Sequence, residues 1–269
     1  MEADKMLDYI KDVLENMPAD WLRLTTHRLD IYNEELAKVQ FLDQFEILAN
    51  QNKSSSSALS ELPTAYDYIR LGHPLSCVLE WAIAKLNNLA PDQVISFLSK
   101  TTPILSVLRK NLLNHKNTLI AYTNELPSSF DTEVLKTVYG YTFELRKVEK
   151  ASDVSEFDGS VIFVSHQDEI SPINQNSNID FYIHLYADFG SVLLVNGEQN
   201  KEYISDIQHV RRRETVAMTP NNCLAALKSL VNQPTSDTQK NNVAENKTTV
   251  LDAIKEVSGA NTTPLVASS

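Results

Sequence analysis

Between positions 74 and 231 two hydrophobic periods take turns, and this alternation restricts the possible folds more than any other feature of the chain. Segments 76–88, 103–114, 131–139, 199–213 and 221–231 repeat their apolar residues at helical intervals. Between them lie short apolar runs at 94–98, 119–122, 142–148, 161–164, 181–184 and 192–195, too short for helices and rich in β-branched and aromatic residues. Strands and helices alternating in this way predict an α/β layer fold, a mostly parallel sheet flanked by helices. Composition narrows the chemistry such a fold can carry. Six glycines in 269 residues, about 2% against an average near 7%, leave little material for glycine-rich phosphate loops. A formal charge of −11, from 24 basic and 35 acidic residues, repels a phosphate backbone unless the bases cluster, so no nucleic-acid partner is expected.

The two ends of the chain have a different character. Met6, Leu7, Ile10, Val13, Leu14 and Met17 gather on one face of a helix that Pro18 interrupts. After Asp20, a residue type that caps helices, Trp21, Leu22, Leu29, Leu36, Val39, Leu42, Phe45 and Leu48 predict a second, broken helix. Eleven acids and five bases in residues 1–50 place −6 of the total charge there. We therefore expect a helical N-terminal extension at 1–50, a flexible serine-rich linker at 51–60, the α/β core at 61–232 and a flexible tail at 233–269. Within that tail, 249–257 has the pattern of a short helix, either a docking peptide on a tether or a frayed end. No apolar stretch matches a signal-peptide core or a membrane span, which predicts a soluble cytoplasmic protein without direct membrane insertion. Cys77 and Cys223 have no CxxC partner or neighbouring histidine, so neither a zinc site nor a disulfide framework is indicated and both read as small buried hydrophobes.

Several blocks of the core, in order, resemble a known family. Tyr68-Ile69-Arg70-Leu71-Gly72-His73-Pro74, then Leu79-Glu80 and Ala84-Lys85-Leu86, is similar to the opening Y-x-R-x-G-N-P-T and following helix of the Cys/Met-metabolism PLP-dependent enzymes, the cystathionine γ-synthase-like group of fold type I. The stretch 94–104 resembles that family's strand and Ser-Gly-Met phosphate turn, with Lys100 in place of glycine and Thr101 in place of methionine. The stretch 179–189 resembles A-D-I-V-V-H-S-x-T-K-Y, with Asp188 where the Schiff-base lysine stands, and 219–230 resembles the family's S-P-F-D-C-W-L block.

The departures carry the functional expectation. PLP works as an electron sink when a lysine holds it as an imine, and an aspartate forms none. No aromatic occupies Leu126-Pro127-Ser128, where the stacking tyrosine is expected. Ser165-His166-Gln167-Asp168-Glu169-Ile170 does not match the family's E-S-P-x-N-P loop, and the strand that should end in V-D-N-T is missing between Glu169 and Phe181. The resemblance thus implies a truncated, degenerate relative with no catalytic residues, no cofactor and no metal. Tyr68 and Arg70 remain as vestigial phosphate-binding candidates, or serve only in packing or an ion pair.

Other constellations are weaker. His166, His184 and His209 lack the spacing that preassembles a metal site with Asp168 or Asp188, and Ser165, His166 and Asp168 lack the geometry of a catalytic triad. Arg211-Arg212-Arg213 reads as a solvated basic face or as one that ion-pairs with a partner. The acidic amphipathic extension either packs on the core or presents Trp21, Phe41 and Phe45 to another protein. The sequence therefore predicts a scaffold or adaptor that joins other protein subunits. Its poverty in glycine and wealth of Asn, Gln, Lys and Ser point to a bacterial assembly, with a type IV secretion coupling complex reached through partners as the specific case. The alternative is a residual PLP- or phosphate-binding enzyme or a sensor of amino-acid metabolism, with Lys100 supplying an amine.

Overall fold

The computed structural model describes residues 2–23, 34–63, 70 and 72–231. Six strands, β1 (Val94–Phe97), β2 (Thr118–Tyr122), β3 (Phe143–Lys147), β4 (Ser160–Gln167), β5 (Phe181–Tyr186) and β6 (Gly190–Val195), form one sheet in the order β1-β6-β5-β4-β2-β3. Each lies on one of the six runs that the sequence singles out. The pairs β2–β3, β2–β4 and β4–β5 are parallel, and β6 runs antiparallel to both β1 and β5. The α-helices of the described residues are α1 (Ala3–Asn16), α2 (Glu34–Asn50), α3 (Ser56–Ser60), α4 (Pro74–Leu86), α5 (Thr102–Leu113), α6 (Thr132–Thr137), α7 (Tyr203–Glu214) and α8 (Pro220–Leu230). The fold is the predicted mixed α/β layer structure with a mostly parallel sheet.

Alternation along the strands builds two cores. Val94, Leu119, Ala121, Val161, Phe163, Tyr182, Val192 and Leu194 face α1, α2, α4 and α8. Ile95, Phe97, Ile120, Ile162, Val164, Phe181, Ile183 and Leu193 face α5, α6 and α7. Strands buried on both faces read as continuous apolar runs, which is why they stand out in the sequence. No strand intervenes between β4 and β5, as the short interval from Glu169 to Phe181 predicts. Their parallel connection is an irregular crossover rather than the usual helix. Polar side chains hold it in place: Asn176 Nδ2 donates to the carbonyls of Ala151 (2.9 Å) and Val154 (3.1 Å), and the Ile173 amide donates to Asn87 Oδ1 (2.8 Å).

The N-terminal extension belongs to the same core as the sheet. Phe41 stacks on Phe45, Phe45 meets Trp81 of α4 edge-on at 5.2 Å, and Trp21 packs edge-on against Phe41. All three proposed anchors, Trp21, Phe41 and Phe45, are buried, which corrects their expected display to a partner: an aromatic stripe above the apolar face of α4 is covered by that face. The linker expected at 51–60 is corrected too. Residues 56–60 form α3, with Ser55 Oγ accepting the Ala58 amide and Leu59 buried, so the serine run contains a helix cap.

A buried ionic cluster ties four elements together. Glu80 of α4 accepts Lys38 Nζ of α2 at 2.5 Å, Arg211 Nη1 of α7 at 3.0 Å, and the amide and hydroxyl of Ser96 in β1 at 2.8 Å each. All four side chains are buried. Burial pushes the Glu80 carboxyl up, but the Lys38 and Arg211 cations outweigh it and hold the group below the usual carboxylate range. Arg211 therefore leaves the solvated face expected for it and instead joins α7 to α4.

The tight turn into β6 depends on one glycine. Gly190 has φ +118°, and a Cβ there would run into the Phe97 carbonyl oxygen of β1. Gly190→Ala is expected to destabilise the chain by roughly 1–3 kcal/mol, measured as a lower urea midpoint. An unchanged midpoint would show that the β1–β6 contact is looser than described.

Candidate functional site

The five co-directional strands end at one edge of the sheet, where open α/β folds place their ligands. Two turns at this edge correspond to the blocks that resemble cofactor-binding segments. The β5–β6 turn carries Ala187, Asp188 and Phe189, and Asp188 is exposed to solvent. The β1–α5 turn lies against it, because Lys100 Nζ donates to the Ala187 carbonyl at 3.0 Å and Ser191 Oγ donates to the Ser99 carbonyl at 2.6 Å.

The first amides of α5 are the donors that a phosphate would need. Ser99 Oγ accepts from the amides of Thr101 (3.3 Å) and Thr102 (3.1 Å) and from the Thr102 hydroxyl (2.8 Å). A serine side chain thus stands where an anion would dock. Arg70, exposed, donates to the Arg212 carbonyl at 3.5 Å, and Tyr68 lies outside the described residues, as does the tail at 233–269. These residues do not fit PLP: the turn offers a carboxylate, the nearest amine is bound to a backbone carbonyl, and the helix amides are capped. No cofactor step is derived from them.

A separate cavity of about 510 Å³ opens on the face of the sheet covered by α4, and no residue of these two turns lines it. It lies where β2 and β4 end. From β2 the chain runs outward to β3 and from β4 inward to β5, so these neighbours flank the topological switch point. Phe163, Ser165, Tyr182 and His184 line its floor, and Asn124, Lys150 and residues 171–174 of the crossover line its walls. Ser165 and His184 are paired in register on adjacent strands and face the same side. Burial pushes the His184 imidazole down to about 4. His166, which also borders the cavity, is engaged elsewhere: its Nε2 donates to the Glu125 carbonyl at 2.9 Å, so Ser165 and His166 form no catalytic pair.

His73 shows what a satisfied buried histidine looks like in this protein. Its Nδ1 accepts the Ser76 amide at 3.2 Å as the N-cap of α4, and its Nε2 lies 2.7 Å from the Met218 carbonyl. One nitrogen accepts and the other donates, so the ring is neutral, and burial pushes it down to about 4. Among the described residues no cluster of His, Cys, Asp and Glu gathers as metal ligands, and no helix is long and apolar enough to cross a membrane.

No family model and no curated protein matches the sequence. Among solved structures, the chain is similar to the metB protein of Corynebacterium glutamicum, with 13% identity, a TM-score of 0.48 and coverage of 83% of this chain and 63% of that one. It is similar to cystathionine gamma synthase of Xanthomonas oryzae, with 15% identity, a TM-score of 0.42 and coverage of 62% and 52%. It is also similar to cystathionine gamma-lyase from yeast, with 11% identity, a TM-score of 0.49 and coverage of 83% and 62%. The chain spans less than two thirds of the length of each of these proteins.

Proposed function

We propose that this chain is a non-catalytic scaffold or adaptor subunit, a pseudoenzyme whose sheet resembles that of PLP transferases. The observation that carries the reading is the pair of turns at the sheet edge. A solvent-exposed carboxylate, Asp188, stands where the resemblance expects an imine-forming amine, and the side chain of Ser99 occupies the amides that a phosphate would use. A fold outlives its chemistry because the chemistry resides in a few grafted side chains.

The surface supports an interaction role. Leu113 (70% exposed) of α5, together with Val138 (73%) and Tyr139 (59%) after α6, forms an apolar patch beside a groove between these helices, a kind of surface that marks protein contacts. The assembly we infer is a bacterial one, with a type IV secretion coupling complex as the specific case, reached from the cytoplasmic side through partner subunits. Glycine-poor composition supports a bacterial source of this kind.

Two measurements test the reading. The purified chain mixed with PLP is expected to give no imine band; a band abolished by Lys100→Ala would overturn the loss of chemistry. The full chain isolated from native cells is expected to bring secretion-complex subunits with it, and the Val138→Asp/Tyr139→Ser variant to recover less than a tenth of them. Recovery of the chain only as an isolated monomer would sink the adaptor role.

A further inference from the structure

The floor of the cavity between the ends of β2 and β4 contains an anomaly. His184 is only 6% exposed, yet neither of its ring nitrogens has a hydrogen-bond partner within the described residues; the ring of Tyr182 lies edge-on to it at 6.4 Å, and Ser165 stands opposite it on β4. The other buried histidine among the described residues, His73, has both nitrogens engaged. The His184 ring nitrogens are not among the buried atoms left without a partner, so with no protein partner they stay open to the cavity, where a ligand can take them.

The surroundings specify what would satisfy it. Phe163, Tyr182 and His184 stand side by side on one sheet face, with Phe163 and Tyr182 edge-on at 6.0 Å, and present aromatic surface to the cavity. Around them the polar groups are neutral: the Ser165 hydroxyl and the carboxamides of Asn124, Gln167 and Asn174. The charged lining residues, Glu149 and Lys150, are exposed at the mouth and cancel one another. A neutral imidazole offers one N–H and one lone pair, so its complement is an edge with an adjacent acceptor and donor. A cavity of about 510 Å³ lies in the ordinary range for small-ligand sites.

We propose that this cavity binds an uncharged planar heterocycle of nucleoside size, stacked against the aromatic floor and hydrogen-bonded through a donor–acceptor edge to His184 and Ser165. The site is distinct from the two turns at the sheet edge, since neither residues 99–102 nor Asp188 lines it. It is also independent of the adaptor reading, because a bound ligand needs no turnover.

The test uses the full chain with adenosine, uridine and nicotinamide as separate probes, followed by thermal melting and titration calorimetry. A ligand that binds only the native state raises its melting temperature. At least one probe is expected to give a saturable rise at millimolar concentration. Affinity should fall at least tenfold in His184→Phe, whose ring keeps the packing, and in Ser165→Ala; melting of each variant without ligand establishes that it folds. Absence of any rise with all three probes would overturn the proposal. So would binding that survives unchanged in both variants, or a preference for inorganic phosphate, PLP or glucose over the neutral heterocycles.

Discussion

Glu80→Ala is expected to destabilise the folded chain by roughly 3–5 kcal/mol, because it leaves the ammonium of Lys38 and the guanidinium of Arg211 buried without their shared counter-ion. It also removes the acceptor for the Ser96 amide in β1. The loss should appear in urea denaturation as a lower midpoint with an unchanged slope. Glu80→Gln keeps the shape and some hydrogen bonding but not the charge, and should lose nearly as much. Replacing the whole cluster, Lys38→Met with Glu80→Leu and Arg211→Met, should recover most of the stability, since buried charges repay little of their own desolvation. A Glu80→Ala variant within 1 kcal/mol of the parent would mean that water reaches the cluster. Acid acts on the same group. The folded-state pKa of Glu80 lies below its unfolded value, so the contribution is full above the unfolded value and disappears as pH falls through the folded one.

A second large effect sets in at higher pH. His73 and His184 are held neutral by burial, with folded values of about 4 against 6.5 for the free side chain. Between these limits the unfolded chain binds protons that the folded chain refuses, so stability rises with pH through this window and falls on acidification from 6.5 to 4. Each histidine contributes a slope of about 1 kcal/mol per pH unit near pH 5.5 and a total loss of roughly 3 kcal/mol by pH 4. Urea midpoints at pH 7, 6 and 5 should show this slope in the parent chain. His184→Phe should remove half of it. His73→Asn keeps a side chain able to cap α4 and should remove the other half. A slope that persists in the double variant would assign the acid sensitivity to other groups.

How far the sequence reaches is best judged residue by residue. The strands were legible because both faces of the sheet are covered, so β5 reads as the unbroken run Phe181 to Tyr186. The end of α1 was legible in Pro18, and α2 in the helical spacing of Val39, Leu42, Phe45 and Leu48. Asp188 and Lys100 were legible by their place in the order of blocks. Ser99 was not: a serine one residue before a lysine in a turn does not reveal that its hydroxyl will accept two amides of the next helix. His184 was visible as one polar residue at an inward position of an apolar strand, a signal that fits a metal ligand, a core histidine or a binding group equally well. The direction in which Trp21, Phe41 and Phe45 face was beyond reach, because an amphipathic stripe states that something covers it and not what does.

Local pattern alone therefore determined the six strands, their alternation with the core helices and the fold class, since hydrophobic period and turn chemistry act over a few residues of contiguous chain. Only the tertiary structure decided that Lys38, Glu80 and Arg211, far apart in sequence, share one buried site. It alone placed the N-terminal helices in the core and left the His184 imidazole without a partner on a cavity floor. Long-range packing and desolvation depend on which surfaces meet, and that is fixed by the sum of all contacts rather than by any one segment.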